Sequence, residues 1–379
     1  MNKTTNLIRL GDAATFINGF AFKPTQWGES GIPIIRIQNL NNPVAPFNYF
    51  DGDVPNKYLV KKGDILISWS ASLGAYEWTG EDAYLNQHIF KVVFDKADID
   101  KHFLKYAVTS KLSEMDKDAH GATMRHIVKK DFDNTKIPFP PLSEQQHIVE
   151  ELDLLSSIIE KKKAQLKELD NLAQSIFYEM FGHLYETAFP IKVLIDICEF
   201  IKDGTHQTPT YTDDKVNGVK FLSAKDVVSG YINWENVKLI PFELHQELHK
   251  RIAPQRNDLL LCKNGTTGIC AIVETDEIFD IYVSLALLRP KKPFCPKYLL
   301  YAINNPQTKR QFDESLKGIG VPNLHLGEIK KTKIIFPPLE LQQQFATKIE
   351  AIEHQKEHIK QSIKEVEMLF NSRMDYYFN

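Results

Sequence analysis

The chain has 379 residues, of which 43% are hydrophobic and 25% are charged, which is ordinary for a globular protein of two or more domains. No apolar run approaches the ~18 residues of a membrane span, so a membrane protein is not expected. The four cysteines form no C-x-x-C pair, and we expect neither a disulfide framework nor a metal site. The first residues lack an apolar signal core, so a cytoplasmic location is expected.

The net charge of −3 is unevenly distributed. Residues 1–142 hold 17 Lys and Arg against 16 Asp and Glu, and residues 186–338 hold 20 against 18. Residues 143–185 and 339–379 are acidic, with 4 against 8 and 5 against 7. A protein that binds DNA phosphates on its own is normally more basic. Either DNA is not the ligand, or a partner supplies much of the phosphate contact.

Residues 1–142 predict a compact domain of mixed α/β class. Apolar, β-branched runs mark the strands, and a loop of small residues at 70–74 follows the second of them. The expected elements, in chain order, are a helix at 11–17, strands at 32–37, 63–69 and 87–94, a helix at 102–109 and a last strand before Pro138.

The motif I-P-F-P-P-L-S-E-Q-Q-H-I at 137–148 joins this domain to a long helix. Pro140 and Pro141 cannot continue a strand ladder, so the strand ends there. Ser143 is expected to cap the helix, with Gln146 completing a capping box. Residues 143–185 then carry apolar side chains at alternating spacings of four and three, the pattern of a coiled-coil seam.

The whole plan occurs a second time. The motif I-I-F-P-P-L-E-L-Q-Q-Q-F at 334–345 lies at a constant offset of 197 residues from the first copy, and it closes a domain at 186–338 and opens a helix at 339–379. Segments that match the first domain are the strands at 218–223 and 257–261, the loop at 263–268, and the helix at 297–302. The polar turn at 203–209 matches the turn at 18–24.

The two helices are predicted to pair with each other as a rigid rod, and the alternative is that each packs only on its own domain. Each seam contains one lysine, and a lone polar residue at such a position tends to fix register. The predicted seam consists of Ile148, Leu152, Leu155, Ile159, Lys162, Leu166 and Leu169 in the first helix, and of Ile349, Ile352, Lys356, Ile359, Ile363 and Val366 in the second.

Motifs for cofactor chemistry are missing from the sequence. There is no G-x-x-x-x-G-K-[ST] loop, no G-x-G-x-x-G after a strand, no H-E-x-x-H and no G-x-S-x-G, so neither ATP nor a dinucleotide is expected on this chain. The histidines are scattered, and five of them could meet in space: His120, His126, His245, His249 and His325. A single histidine in a domain of this size is more often structural.

A duplicated domain whose copies each end in this Pro-Pro motif and a heptad helix resembles the specificity (S) subunit of type I restriction–modification enzymes. The turn at 203–209, the strand after it and the segment at 63–68 also resemble that family. The second copy departs from the family pattern at two positions, where Leu341 stands in place of Glu144 and Glu340 in place of Ser143. These departures affect the helix entry or a partner contact in the second copy.

The resemblance implies two target recognition domains separated by an antiparallel pair of helices, each domain binding one half of a split DNA sequence. It also implies that the helices dock two methyltransferase subunits, which carry S-adenosylmethionine and methylate adenine. Restriction subunits with an ATP-dependent motor would join that core. On this interpretation the chain is a non-catalytic recognition subunit, and its partners would contact much of the DNA.

The residues expected to contact DNA lie at loop positions. Arg suits guanine, Asn and Gln suit adenine, and Lys suits phosphate. In the first domain they are Lys23, Arg36, Gln38, Ser70, Ser72, Arg125 and His126. In the second they are Thr205, His206, Lys225, Lys263, Asn264, Thr266, Asn323 and His325.

Two other functions stay open from the sequence. One is a stand-alone nuclease with acidic residues dispersed through the loops, which metal-dependent cleavage by the chain alone would favour. The other is a coiled-coil scaffold that does not touch DNA, which failure to bind DNA with methyltransferase partners would favour.

Overall fold

A computed structural model describes residues 6–42, 44–118, 128–228, 230–316 and 322–379. The chain divides into two compact units. Unit 1 comprises residues 1–163 and 360–379, and unit 2 comprises residues 164–359. No helix among the described residues is long and apolar enough to cross a membrane.

The first part of the chain contains ten strands and four helices within the described residues. Short 3₁₀ turns lie at Pro24–Gln26 and Asn56–Tyr58. The elements are β1 (Leu7–Arg9), α1 (Leu10–Ala13), β2 (Thr15–Asn18), β3 (Ile32–Ile35), α2 (Ile37–Asn41), β4 (Asn48–Phe50), β5 (Leu59–Val60), β6 (Ile65–Ser68), β7 (Gly74–Glu77), β8 (Ala83–Leu85), β9 (Ile89–Val93), α3 (Lys101–Asp118), α4 (Lys129–Asn134) and β10 (Lys136–Pro138).

The rest of the chain follows a similar order of elements, with additional helices and strands, and it begins and ends with a long helix. A 3₁₀ turn lies at Ala224–Asp226. The elements are α5 (Leu142–Phe181), β11 (Ile191–Val193), α6 (Leu194–Ile197), β12 (Cys198–Asp203), β13 (Val219–Leu222), β14 (Val227–Val228), β15 (Tyr231–Ile232), β16 (Lys238–Ile240), α7 (Phe242–Arg251), β17 (Leu259–Cys262), β18 (Cys270–Ile272), β19 (Phe279–Ile281), β20 (Leu285–Pro290), α8 (Pro296–Asn304), α9 (Pro306–Ser315), α10 (Leu326–Lys331), β21 (Lys333–Ile335) and α11 (Leu339–Phe378).

Corresponding sheets occur in both units. An antiparallel sheet has the order β2-β9-β6-β7 in unit 1 and β12-β20-β17-β18 in unit 2. A second sheet contains one parallel pair, β3 with β8 in unit 1 and β13 with β19 in unit 2. The strands β6 and β17 are fully buried, as expected for apolar runs in a core. The predicted mixed α/β fold with two repeats is therefore present.

Two local predictions were wrong. The segment predicted as a helix at 11–17 forms only the short α1, because Thr15–Asn18 pairs along β9 instead. Ser143 does not cap α5, because that helix already begins at Leu142 and the amides of Glu144 and Gln145 donate to Pro141 O.

A buried glutamine holds the start of each long helix. Gln145 Nε2 donates to Pro140 O at 2.9 Å, and its Oε1 accepts from Asp100 N at 2.9 Å. In unit 2, Gln342 Nε2 donates to Pro337 O at 2.8 Å, and its Oε1 accepts from Cys295 N at 3.1 Å. Each glutamine therefore ties a Pro-Pro turn to the residue before α3 or α8. The capping-box prediction named Gln146, whereas its neighbour Gln145 is the glutamine that holds the start of the helix.

The long helices pair antiparallel within each unit. In unit 1, Glu151 forms a bidentate ion pair with Arg373, and the Lys163 ammonium lies 3.5 Å from the Glu367 carboxylate. Residue numbers therefore rise along α5 while they fall along the contacting part of α11, as in an antiparallel pair. In unit 2, Lys356 pairs with Asp170, and the Phe177 and Phe345 rings are 5.6 Å apart. Each helix start also packs in the core of its own unit.

Every position of the predicted seam is buried or half-buried. Seven of its positions are buried, namely Ile148, Leu152, Leu155, Ile159, Ile349, Ile352 and Ile363. The other six, Lys162, Leu166, Leu169, Lys356, Ile359 and Val366, are half-buried. At ~1.5 Å per residue, each 40-residue helix is about 60 Å long.

Candidate nucleic-acid interface

Three strand ends meet at one edge of unit 1, around the backbone of residues 86–88. Three backbone hydrogen bonds hold them, from Asn86 N to Ile35 O at 3.1 Å, from Gln87 N to Phe20 O at 2.9 Å, and from Trp69 N to His88 O at 3.3 Å. We call this place the first junction, defined by residues 18–20, 35–36, 69–70 and 86–88.

Unit 2 contains the same arrangement, the second junction, at residues 203–205, 222–223, 263–264 and 282–284. Its three bonds run from Tyr282 N to Leu222 O at 2.8 Å, from Val283 N to Thr205 O at 2.9 Å, and from Lys263 N to Ser284 O at 2.8 Å. The bonds match one for one, so Lys263 occupies the place of Trp69 and Asn264 that of Ser70. The predicted match of the strands at 63–67 and 257–261 has the same offset of 194 residues.

A glycine makes each junction possible. A Cβ atom built on Gly19 would lie 2.0 Å from Asn86 O, and one on Gly204 would lie 2.1 Å from Ile281 O. No side chain fits at such distances, so only glycine lets the turn after β2 or β12 cross the strand beside it. The repeated Asn-Gly and Asp-Gly dipeptides therefore mark the same crossing in both repeats.

The first junction is held by neutral side chains and one stacked arginine. Trp69 Nε1 donates to Asn18 Oδ1 at 3.2 Å. The Arg36 guanidinium lies 4.6 Å from the Trp27 ring centroid, and its Nη1 donates to Asn48 Oδ1 at 3.0 Å. Stacking and one hydrogen bond fix the plane of the guanidinium. Its other N–H groups make no hydrogen bond to the described residues and can donate to a ligand.

The second junction is held by charges around Asp203. Lys263 Nζ lies 3.0 Å from Asp203 Oδ2, and both side chains are buried. Arg251 Nη2 and His206 Nε2 approach the same carboxylate at 3.2 and 3.1 Å. Arg251 Nη1 also donates to Gly204 O at 3.2 Å. Since Arg251 and His206 are exposed, they form a polar rim over a buried ion pair.

These charges change the pKa of Asp203. Burial by itself would raise that pKa, but the hydrogen bond and the charge of Lys263, with a smaller contribution from His206, lower it below the usual carboxyl value. Asp203 is therefore ionised at neutral pH, and its charge orders three cationic or titratable side chains at the turn.

The structure places the predicted residues of unit 1 as follows. Arg36 and Ser70 belong to the first junction. Ser72 is exposed in the loop after β6, and Lys23 is exposed just before the turn at Pro24–Gln26. Gln38 is exposed in α2, where its Nε2 donates to Pro46 O at 3.3 Å. Two predicted residues, Arg125 and His126, lie outside the described residues.

Five predicted residues of unit 2 meet at or beside the second junction: Thr205, His206, Lys263, Asn264 and Asn323. Asn264 and Asn323 form an antiparallel backbone bridge. Asn264 Oδ1 is buried and has no hydrogen-bond partner among the described residues. Three others, Lys225, Thr266 and His325, are exposed on separate turns. Lys263 was predicted to contact phosphate, but its ammonium is buried against Asp203, so it is better placed to support the turn.

Sequence reasoning missed four of the residues that hold the junctions. Asn18, Trp69, Asp203 and Arg251 were not among the predicted site residues. Two of them could have been predicted from the dipeptides Asn18-Gly19 and Asp203-Gly204, since each stands directly before a glycine that lets the chain cross the neighbouring strand.

Two histidines and all four cysteines in unit 2 are partly or fully buried. Of the five histidines that could meet in space, His245 and His249 come together beside Asp280, whereas His120 and His126 lie outside the described residues. Burial raises the pKa of Asp280, which the hydrogen bond of His245 only partly offsets. Burial raises the pKa of the thiols of Cys198 and Cys262 to about 12, so neither is a thiolate nucleophile at neutral pH.

The fold and the two junctions define a protein that presents one scaffold twice with different polar side chains. Two stretches, residues 2–170 and 190–368, match the family described as the type I restriction modification DNA specificity domain. The chain belongs to that family, which confirms the family predicted from the sequence.

Relatives and solved structures agree with this assignment. The type I restriction enzyme EcoBI specificity subunit of Escherichia coli is 23% identical over 373 residues, covering 91% of this chain and 78% of that protein. The MjaVIII specificity subunit of Methanocaldococcus jannaschii is 23% identical over 386 residues, covering 95% and 90%. The crystal structure of the S subunit from M. genitalium shares the fold, with a TM-score of 0.53, 13% identity and coverage of 100% of this chain and 98% of that chain.

Proposed function

We propose that this chain is the DNA-recognition subunit of a type I restriction–modification complex and that each repeat binds one half of a bipartite target. The duplicated junction carries this proposal. The same three backbone bonds hold each junction, while Asn18, Trp69 and Arg36 in one are replaced by Asp203, Lys263 and Ser223 in the other. A constant scaffold with different side chains suits two different base sequences.

The roles proposed for single residues follow from their contacts. Arg36, fixed by Trp27 and Asn48, presents a planar donor set that suits the O6 and N7 acceptors of guanine. Asn264 lies beside Asn323, its amide oxygen has no hydrogen-bond partner within the described ranges, and an amide can bind adenine with two hydrogen bonds. The exposed lysines Lys23 and Lys225 suit phosphate contacts.

The long helices are proposed to dock two methyltransferase subunits and to set the unread spacer between the half-sites. Leu172 on α5 is 46% exposed, and Leu369 on α11 is 49% exposed. They lie 197 residues apart, which is the offset of the repeat, so each helix presents the same apolar side chain at the same place. Repeated exposed leucines suit two copies of one partner.

On this proposal the catalytic chemistry belongs to the partners. The methyltransferase subunits would carry S-adenosylmethionine and methylate adenine, and the restriction subunits would carry the ATP-dependent motor and the nuclease. The net charge of −3 fits this division, because partners that also bind the DNA backbone relieve this chain of much of the phosphate contact.

Co-expression with a cognate methyltransferase tests the proposal. A stable complex should form, and mapping of adenine methylation across a genome should give a split motif with a fixed gap. A continuous motif would contradict the bipartite proposal. Metal-dependent cleavage of DNA by the purified chain alone would favour a stand-alone nuclease instead.

A further inference from the structure

Helix α7 distinguishes unit 2 from unit 1. Between β4 and β6, unit 1 has only the 3₁₀ turn Asn56–Tyr58 and the short β5. Unit 2 instead carries the ten-residue α7, whose His245 and His249 are four residues apart and therefore lie on one face. That face meets Asp280, which lies in β19 beside β13.

The three side chains converge. His245 Nδ1 lies 2.7 Å from Asp280 Oδ2, and His249 Nδ1 lies 3.5 Å from Asp280 Oδ1. One ligand atom from each residue can be chosen so that all three lie within 4.8 Å of one another. Asp280 is 2% exposed and His245 is 7% exposed, while about a third of the His249 side chain is exposed. The cluster is thus nearly enclosed but reachable from the His249 side.

Two atoms of the cluster lack hydrogen-bond partners among the described residues. His249 Nδ1 and Asp280 Oδ1 are both buried and face each other at 3.5 Å, which is too long for a good hydrogen bond. A buried unpaired carboxylate oxygen is costly, and native proteins normally satisfy it. The separation of these two atoms, 3.5 Å, is close to the spacing of about 3.3 Å expected for two ligands on one tetrahedral ion with bonds of ~2.0 Å.

We propose that His245, His249 and Asp280 bind a divalent cation of the zinc class. Two imidazoles and one carboxylate are a ligand set that zinc accepts, with a fourth position left for a small ligand. Magnesium and calcium are disfavoured because they prefer oxygen ligands. A cation would also compensate the buried charge of Asp280.

Unit 1 provides an internal comparison. The residue that corresponds to Asp280 is Tyr84, because Tyr84 pairs with Ile34 on β3 as Asp280 pairs with Phe221 on β13. Tyr84 lies in an apolar cluster with Phe22, Ile34 and Val54. The proposed site therefore belongs to the second repeat alone, and one ion per chain is expected.

The position of the site gives the cation a structural role. Arg251, two residues after His249, contacts Asp203 and Gly204 O. Ile281, next to Asp280, accepts a hydrogen bond from Thr205 N at 3.1 Å. A cation joining α7 to β19 would therefore hold together the two residues, Arg251 and Ile281, that contact the second junction. Cation binding itself does not depend on the proposed DNA function, since it can be measured without DNA.

Cobalt and zinc titrations of the full-length chain test the site. After treatment with a chelator, the wild-type chain should bind one equivalent of Co²⁺ with the visible absorption of a four-coordinate ion, and Zn²⁺ should displace it. His249→Ala should weaken binding by about 100-fold or more, and His358→Ala, which removes an exposed histidine of α11, should not.

Asp280→Asn provides a second variant that keeps the side-chain shape, in case His249→Ala disturbs folding. Zinc should raise the melting temperature of the wild-type chain and leave that of Asp280→Asn nearly unchanged. Absence of uptake by the wild-type chain would overturn the proposal, as would uptake that both variants retain. In that event the three residues form a hydrogen-bonded set without a metal.

Discussion

Lys263 Nζ contacts Asp203 Oδ2 at 3.0 Å in the place where the first repeat joins Trp69 to Asn18. One repeat thus closes its junction with a buried ion pair, and the other closes it with a neutral hydrogen bond. Because the backbone bonds around both pairs are the same, the side chains can differ without changing the scaffold.

Breaking the ion pair should destabilise unit 2. Lys263→Met keeps the apolar stem but leaves the buried Asp203 without its nearest cation, and we expect the free energy of unfolding to fall by about 3 kcal/mol. Urea denaturation measures this change. The control Lys225→Met alters an exposed lysine on the neighbouring turn and should change the free energy of unfolding by less than about 0.5 kcal/mol. Equal effects of the two variants would contradict the role given to Lys263.

The ion pair also predicts a pH dependence. The pKa of Asp203 is lower in the folded chain than in the unfolded chain, so its contribution to stability is complete above the usual carboxyl pKa and is lost as the pH falls through the lowered value. The melting temperature of the wild-type chain should exceed that of Asp203→Asn at pH 7, and the difference should shrink on acidification. A difference that stays constant down to pH 3 would show that ionisation of Asp203 is not the cause.

The buried glutamines should stabilise the helix entries. Gln145→Ala would leave the half-buried Asp100 N and the buried Pro140 O without their partner, and we expect a loss of about 2 kcal/mol in the free energy of unfolding. Gln342→Ala should do the same in unit 2. The neighbours Gln146 and Gln343 are exposed, so their alanine variants are matched controls. Similar denaturation curves for Gln145→Ala and Gln146→Ala would rule out this account.

The repeated leucines predict the stoichiometry of the complex. Leu172→Asp and Leu369→Asp should each remove one methyltransferase subunit, and the double variant should bind none, which native mass spectrometry can count. Gln174→Asp and Asn371→Asp place the same charge at exposed positions two residues further along each helix and should keep two subunits. Single leucine variants that still bind both subunits would refute this docking surface.

Much of the fold could be predicted because its signals are local. The apolar run around 65–68 is a buried strand, and the Pro-Pro motif opens a long helix in both repeats. The expected helix at 11–17 was wrong because pairing of Thr15–Asn18 with β9 overrides local preference. Helix α7 was missed as well, although its two histidines were visible four residues apart.

The candidate site was harder to predict because its contacts join distant segments. Asn18 and Trp69 are 51 residues apart, and Asp203 and Lys263 are 60 residues apart. Loop order alone brought Arg36, Ser70, Thr205 and Asn264 into the predicted set, and these residues do lie at the junctions. Whether each contacts a base stays a prediction.

The most direct measurement of the central claim is the methylation motif produced by single-junction variants. The wild-type chain, Arg36→Ala and Asn264→Ala would each be expressed with the cognate methyltransferase, and adenine methylation would be mapped across the same genome. We expect a split motif in which Arg36→Ala relaxes one half and Asn264→Ala relaxes only the other. Variants that remain folded but relax both halves equally would contradict the assignment of one half-site to each repeat.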